Sequence, residues 1–417
     1  MTHSFNRYTT VSALDIGSSK VCCLIARVSR DNKINIVGYG YNASKGIKNG
    51  IITDINQATL SVCNAVENAE QMANDRIENV IINVSGEKIK SSSKEATIAI
   101  NKNRPINDID INKVMDKGRN KINIEDNALI HCLTTGYRVD LGEEIKDPHN
   151  IYGENLSVKF LLGLIPEVQY KNLASVVENA HLGITDKAFS AYTSGLACLV
   201  DDEKELGATI IDIGGGCTNI ATFHNGYPVY FSSIGVGGNN ITNDIAWGLT
   251  TSSAHAERLK TLHGCAFLTS KDKEENINVY PVGEEDDTLI KQVPKSDLIN
   301  IIAPRVEEIF ELVNHKLTEH GLKDVNSHRV VLTGGCSLLP GIREVASLIL
   351  DKQVRLGRPR NNLNLPEKLY SPEFSTAVGL LLFNTAYLEK KPRKVLHKTI
   401  ASGNKFSQIM SWLKQSF

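Results

Sequence analysis

The chain opens on short apolar runs. VSALDI (11–16), KVCCLIARVS (20–29) and KINIVGYGYN (33–42) are rich in Val, Ile and Leu, with short turns at Gly17–Ser19 and Asp31–Asn32 between them. Such runs predict strands joined by tight turns. At Asp54 the period changes. Ile55, Leu60, Val62, Val66 and Met72, with alanines in the gaps, give one apolar helix face through Ala73. NVIINVSG (79–86) then predicts a buried strand ending on Gly86. Strands, helix and strand in succession describe an α/β unit.

The same arrangement returns in ATIIDIGGGCTNIATFHNGYPVYFSSIGVGG (208–238), again strand, turn, strand, turn, strand. DIGSSKVCCLIA begins at Asp15 and DIGGGCTNIATF at Asp212, 197 positions later. Both copies hold Asp-Ile-Gly and two small residues between two strands. The pattern predicts two related α/β domains, each contributing one turn to a shared cleft. Two stretches break it. Residues 87–165 are rich in Lys, Asn, Asp and Ser before VKFLLGLI (158–165), and predict a small inserted α+β module. Residues 239–305, with a helix around Ile245–His263 and an acidic loop Gly283–Asp287, predict a second small subdomain.

Composition narrows the class. The 417 residues suggest two to three domains at ~150 residues each. With 41% hydrophobic and 22% charged residues, disorder and collagen repeats are excluded. No apolar run reaches the ~18 residues of a membrane-spanning helix. MTHSFNRYTTVSALDIG contains no signal-peptide core before Asp15. Eight cysteines form no CxxC pair and no zinc-finger spacing, so reduced, mostly buried thiols in a cytosolic protein are expected. The net charge of −1 gives no overall basic footprint for nucleic acid. The balance is uneven, however. After Glu389 the chain has seven Lys and Arg and no acid, and a net of −1 with +7 in the tail leaves −8 on the rest.

Three glycine turns and one helix carry the candidate chemistry. In Asp15-Ile16-Gly17-Ser18-Ser19-Lys20, Gly17 permits close backbone approach to a phosphate. Ser18 and Ser19 add hydroxyl donors, and Lys20 adds a compact positive charge. In Asp212-Ile213-Gly214-Gly215-Gly216-Cys217-Thr218, the glycine triplet removes every Cβ from the turn and Thr218 offers a hydroxyl to a phosphate oxygen. Asp15 and Asp212 would face each other and hold Mg²⁺ through water. Gly334 and Gly335, after the strand RVVLT, would let the backbone lie flat on a purine. Glu257 and Lys260, three apart on a helix, would meet ribose and base; a surface ion pair is the plain alternative.

Taken in this order, the pieces resemble the actin-like ATPase superfamily. Within it they resemble the bacterial cell-division FtsA family, on DIGSSKV, IIDIGGGCTNIA, HGCA (263–266), APRVEEI (303–309), LTGGCSLLPG, STAVGLLLF (375–383) and the terminal SWLKQSF. The resemblance implies an actin-like α/β fold of two related domains around an ATP cleft. It implies a first large domain in 1–86 and 166–200, and a second in 201–238 and 306–388. It further implies an inserted assembly domain at 87–165, an FtsZ-binding subdomain at 239–305, a basic linker at 389–403 and an amphipathic helix at 404–417. The implied ATP site falls on Asp15, Ser18, Ser19, Lys20, Gly215, Gly216, Glu257, Lys260, Gly334 and Gly335. In the superfamily a Gln or acid on the helix after the inserted domain orients the attacking water. Counting back from Tyr192-Thr193-Ser194-Gly195, that position is Asp186. Asp is shorter than Gln and prefers to accept hydrogen bonds, so slow turnover is expected. The FtsZ tail would dock on 291–305, with Lys291, Asn300 and Arg305 as contacts.

The final helix has its own signature. Phe406, Ile409, Met410, Leu413 and Phe417 fall within about 100° of one another, with Trp412 at the edge. An apolar face, an interfacial Trp and a basic approach describe a helix lying in an anionic membrane surface. The implied whole is a peripheral ATP-binding protein on the inner face of the cytoplasmic membrane, at the septum. It would form filaments, hold FtsZ there and help recruit later division proteins. The rival is a small-molecule kinase of the same superfamily, which needs a base beside a substrate hydroxyl and has no use for such a helix.

Overall fold

The computed structural model describes residues 8–29, 31, 33–120, 122–283, 290–322, 329–360 and 365–390. The chain divides into two compact units, Met1–Thr385 and Ala386–Phe417; the architecture below is that of the first. The expected tail helix and its residues Phe406, Ile409, Met410, Trp412, Leu413 and Phe417 lie outside the described residues, as does most of the acidic loop Gly283–Asp287.

The opening apolar runs form β1 (Tyr8–Ile16), β2 (Lys20–Ser29) and β3 (Ile34–Ala43), an antiparallel meander. A ribbon of β4 (Ile47–Lys48) and β5 (Ile51–Ile52) leads into α1 (Ile55–Ala73). Asp54 caps α1 by accepting from the Gln57 N–H at 3.0 Å. The helix lies directly on β3: a Cβ on Gly38 or Gly40 would come within 2.2 Å of the Ala69 or Ala65 carbonyl. Next, β6 (Asn79–Val84) pairs parallel with β1.

The insertion follows as β7 (Lys90–Ala99), α2 (Asp108–Asn120), β8 (Asn127–Val139) and β9 (Asn155–Pro166). Its sheet has the order β7-β9-β8. It has its own small core around Phe160, whose ring sits against Gly118 of α2. The chain returns through α3 (Glu167–Asn179) to β10 (Gly183–Phe189), which completes a five-stranded sheet of order β10-β6-β1-β2-β3.

Two helices, α4 (Ser190–Cys198) and α5 (Asp201–Leu206), lead to the second sheet. Its strands are β11 (Ala208–Ile213), β12 (Thr218–His224) and β13 (Tyr227–Ile234). Then come α6 (Gly238–Gly248), α7 (Ser253–His263), the β14 (Asn276–Val279) and β15 (Lys291–Pro294) ribbon and α8 (Lys295–Glu319). β16 (Arg329–Thr333), α9 (Ile342–Leu350), β17 (Gln353–Leu356) and α10 (Ser375–Lys390) complete the described elements. The order β13-β12-β11-β16-β17 repeats the first sheet strand for strand, antiparallel meander and parallel pair alike. The duplication read from the two Asp-Ile-Gly turns therefore extends to whole sheets.

One core packs the first sheet, α4, α10 and one face of the second sheet together; another packs α6 to α9 on the opposite face. The single helix expected around Ile245–His263 is two. Thr250 adopts φ 51°, its neighbour Thr251 donates to the Tyr280 carbonyl, and Ser252 starts a fresh helix by accepting from the His255 N–H. The position 305 expected as a domain boundary falls inside α8.

Candidate functional site

A cleft of ≈ 430 Å³ opens between the two sheets, lined by all three glycine turns. The first two turns are built alike. In each, the glycine N–H donates to the carbonyl three residues on: Gly17 to Lys20 at 3.0 Å and Gly214 to Cys217 at 2.9 Å. The flanking registers match too, Asp15 opposite Cys22 and Asp212 opposite Asn219. The turns interlock. A Cβ on Gly215 would lie 1.7 Å from Ser19 Oγ, and one on Gly216 would lie 2.5 Å from Ser18 Oγ. The glycines thus make room for the serines of the opposite turn. Ser18 Oγ accepts from the Gly50 N–H at 2.9 Å, and Ser19 Oγ donates to Asn239 Oδ1 at 3.0 Å. The first N–H groups of α6 hold the second turn, Gly238 to the Gly214 carbonyl and Asn239 to that of Gly215.

The two acids differ sharply. Asp212 is buried, and its Oδ2 accepts from Ser194 Oγ of α4 at 2.6 Å and from Thr376 Oγ1 of α10 at 2.8 Å. Burial pushes its carboxyl above the usual carboxylate range despite those donors. The Asp15 carboxylate accepts no hydrogen bond from a described side chain or backbone group. Burial pushes it up to about 7; Lys20 opposes this and the Asp212 charge adds to it. Lys20 Nζ donates to the Glu373 carbonyl at 3.0 Å, pairs with the Glu373 carboxylate at 3.4 Å and sits 3.5 Å over the Phe374 ring.

At the other end, Lys260 Nζ donates to the Gly238 carbonyl at 3.0 Å, to Thr242 Oγ1 at 2.7 Å and to Glu257 Oε2 at 2.7 Å. The i,i+3 pair is real, yet it lines the cleft and is not merely a surface bridge. Gly334 and Gly335 close this end. Gly334 adopts φ 84°, and a Cβ there would lie 2.4 Å from Asp212 Oδ1. At Gly335 the nearest atom would be 3.7 Å away.

Several expected residues lie elsewhere. Thr218 is fully buried and donates to the Val236 carbonyl at 2.8 Å, so its hydroxyl does not face the cleft. Asp186 stands on β10, not on a helix, and does not line the cleft; its Oδ1 accepts from the Lys187 N–H at 2.8 Å. The helix begins at Ser190, so the count back from Tyr192 overshot into the strand. Arg305 is committed internally: it grips both Asp244 carboxylate oxygens, at 2.6 and 3.1 Å, and pairs with Glu308. Lys291 and Asn300 are exposed. The Asn300 carbonyl also lacks its helix donor, because position 304 is proline. Asp15 and Asp212 do share the cleft, and among the described residues no group of three or more His, Cys, Asp or Glu gathers around a metal-sized point.

Other cleft residues gave little sequence signal. Asn83 accepts from the Ile16 N–H at 2.6 Å and donates to Ser190 Oγ at 3.1 Å. Ser85 Oγ donates across to Asn219 Oδ1 at 3.0 Å. Two of these stand beside a glycine turn signal: Ser85 precedes Gly86, and Asn239 follows Gly237-Gly238 at the start of α6. All eight cysteines are free thiols. Two of them, Cys217 and Cys336, line the cleft, where burial pushes them up to about 12 and about 11.

Comparison with known proteins bears on this geometry. A family model described as "Cell division protein FtsA" matches residues 209–379, and one described as "SHS2 domain inserted in FTSA" matches 86–162. Cell division protein FtsA of Rhizobium meliloti (strain 1021) is 37% identical over 99% of this chain and 96% of its own length. That of Escherichia coli (strain K12) is 30% identical over 98% of each. Among solved structures, the PilM-PilN type IV pilus biogenesis complex aligns with TM-score 0.61 over 90% of this chain and 98% of the matched chain. MreB5 of Spiroplasma citri bound to ADP aligns with TM-score 0.53 over 92% and 99%. At 14% identity each, these two speak for an actin-like fold alone. With near-complete coverage at 30–37% identity to the division proteins, the chain belongs to the FtsA family of cell division proteins.

Proposed function

We propose that the cleft binds ATP with Mg²⁺, and that nucleotide acts as a switch for assembly on the membrane. The observation that carries the reading is Asp15: a half-buried carboxylate with no described donor, in the cleft with Asp212, between two backbone turns and beside Lys20. A divalent cation would relieve that arrangement, and the residues fit one held through water on Asp15. When bound, Mg²⁺ supplies positive charge against the phosphate oxygens. Gly17 and the 214–216 turn offer backbone to the phosphates, with Ser18, Ser19 and Lys20 as donors. Glu257 and Lys260 position the ribose and base against Gly334 and Gly335. The described polar partners of the Ser190 hydroxyl are neutral, the Asn83 amide and the Val84 carbonyl, which supports slow hydrolysis. Family membership sets the small-molecule kinase aside.

The partner readings follow from the family. Lys291 and the exposed Asn300 face of α8 receive the C-terminal tail of FtsZ, while Arg305 holds α8 against α6. The tail from 404 onward lies in anionic lipid. Weak single helices become firm attachment when a filament presents several together. Filaments on the inner face of the cytoplasmic membrane would then anchor FtsZ at the septum and recruit later division proteins.

Calorimetry with Mg·ATP, combined with sedimentation on anionic liposomes with and without an FtsZ tail peptide, tests the whole. We expect a single nucleotide site, co-sedimentation that Mg·ATP increases, and peptide capture lost in Lys291→Glu. Absence of nucleotide heat overturns the cleft reading. Unchanged peptide capture in Lys291→Glu overturns the α8 reading.

A further inference from the structure

His131 is a buried residue that neither the cleft nor the partner readings use. It lies on β8 of the insertion, yet its Nε2 accepts from the Phe189 N–H at 3.0 Å. Burial pushes the imidazole down to about 3, so the ring is neutral and that nitrogen is an acceptor. Four rings surround it at 5.0–5.7 Å between centroids: Phe189 and Tyr192 from the first half, Phe231 from β13, and Phe383 from α10. Gly163 of β9 leaves the space Phe189 needs, since a Cβ there would lie 2.3 Å from its ring. A second contact reaches the other sheet. Ser91 Oγ of β7 donates to the Phe231 carbonyl at 2.8 Å and accepts from the Phe231 N–H at 3.3 Å. The insertion therefore grips both halves of the molecule, one with each edge strand of its sheet.

Phe189 immediately precedes Ser190, the first residue of α4, which lines the cleft and bonds to Asn83. Four residues on, Ser194 donates to Asp212. Between these points α4 has no slack. A Cβ on Gly195 would meet the Phe223 ring at 2.6 Å, and one on Gly379 of α10 would meet the Thr193 carbonyl oxygen at 1.9 Å. A displacement at Phe189 must then move Ser190 and Ser194 together, because a close-packed helix cannot absorb it locally.

We propose that His131 is a positioning residue for the cleft: through Phe189 and α4 it sets Ser190 and Ser194, and with Ser91 it makes the pose of the insertion and the closure of the cleft bias each other. The nucleotide consequence rests on the ATP reading above; the mechanical link does not. Reciprocity follows, since anything that fixes the insertion must shift nucleotide affinity by the factor with which nucleotide shifts the insertion.

Hydrogen exchange and Mg·ATP calorimetry on the full chain test this with His131→Leu, which removes the acceptor, His131→Gln, which keeps one, and Ser91→Ala. In His131→Leu, amides of 16–20 and 189–194 should exchange about tenfold faster and Mg·ATP should bind about tenfold more weakly. His131→Gln should stay within about twofold of the parent on both. Ser91→Ala should speed exchange at 16–20 by a few-fold, and it decides the matter if His131→Leu does not fold. Faster exchange confined to the insertion and Phe189, with 16–20 unchanged, overturns the proposal. If the parent protein itself binds no Mg·ATP, the nucleotide reading fails while the exchange arm still judges the link.

Discussion

The turns at Asp15 and Asp212 share strand order, register and closing hydrogen bond, yet their acids have opposite surroundings. Asp212 takes two hydroxyl donors from α4 and α10, the helices that join the halves. The Asp15 carboxylate takes none from the described residues; burial raises both carboxyls, that of Asp15 to about 7. One repeated motif has thus divided its labour. The second copy fastens the halves together, and the first leaves a carboxylate with no donor among the described residues. A repeat read from sequence reports common construction; what each copy's acid touches depends on partners contributed from elsewhere in the chain.

The largest test of this division removes the fastening. Asp212→Ala leaves Ser194 and Thr376 buried with only each other, at 2.9 Å, for a partner. The loss of a buried acceptor for two hydroxyls should cost about 2–4 kcal/mol, read as lower stability in urea with and without nucleotide. Asp15→Ala should show no comparable loss. Equal losses from the two substitutions would erase the comparison.

The next test uses pH. The Asp15 carboxyl sits near 7 in the folded chain against 3.8 as the ordinary value. The folded state therefore binds the extra proton between those values, and stability falls as pH rises through that window and levels off above 7. Asp15→Asn abolishes this contribution. The variant should exceed the parent in stability at pH 8 by roughly 2–4 kcal/mol, and the difference should vanish toward pH 4. Mg²⁺ should raise the melting temperature of the parent at pH 8 and leave the variant unmoved. Thermal scans at both pH values read the sign directly.

A third test separates the glycines from the ligand. Gly215→Ala places a methyl group on Ser19 and should wedge the turns apart, weakening Mg·ATP binding by about tenfold or more. Ser19→Gly in the same chain removes the obstructing hydroxyl and Cβ and should restore part of the affinity. Calorimetry on the single and double variants measures the coupling. No recovery in the double variant would place the role of Gly215 with the phosphate, not with Ser19.

What the sequence made legible, and what it did not, divides along the same physical line. β1, β2 and β3, the α1 cap at Asp54 and the repeated turns were legible because each rests on local pattern: apolar runs, a capping residue, a glycine where Cβ does not fit. The assignments of Thr218 and Asp186 failed because facing is a tertiary property. Thr218 begins a strand whose register turns its hydroxyl to Val236, and Asp186 lies on a strand, before a helix that starts only at Ser190. Arg305 carries the charge a docking site needs, but nothing local announces Asp244 sixty-one residues earlier. Asn83 and Ser190 are ordinary residues in apolar surroundings, and they became visible only where two strands and a helix converge.

The smallest expected effect sharpens the comparison most. Gly214, Gly215, Gly216 and Gly334 each have a reason to be glycine within the protein, since a Cβ would come within 1.7–3.2 Å of a neighbouring atom. Gly335 has none: its nearest neighbour would be Glu373 Cβ at 3.7 Å, an ordinary contact, and its φ is not in the left-handed region. If a purine lies against this turn, only the ligand requires the missing side chain. Gly335→Ala should then leave folding stability within ~0.5 kcal/mol of the parent while lowering ATP affinity a few-fold, and it should leave affinity for inorganic triphosphate unchanged because the methyl group touches only the base end. Gly334→Ala should destabilise the fold as well, through Asp212 and the positive φ. Equal affinity of Gly335→Ala and the parent for ATP would move the base off this turn and leave the first two turns, with Glu257 and Lys260, as the nucleotide contacts.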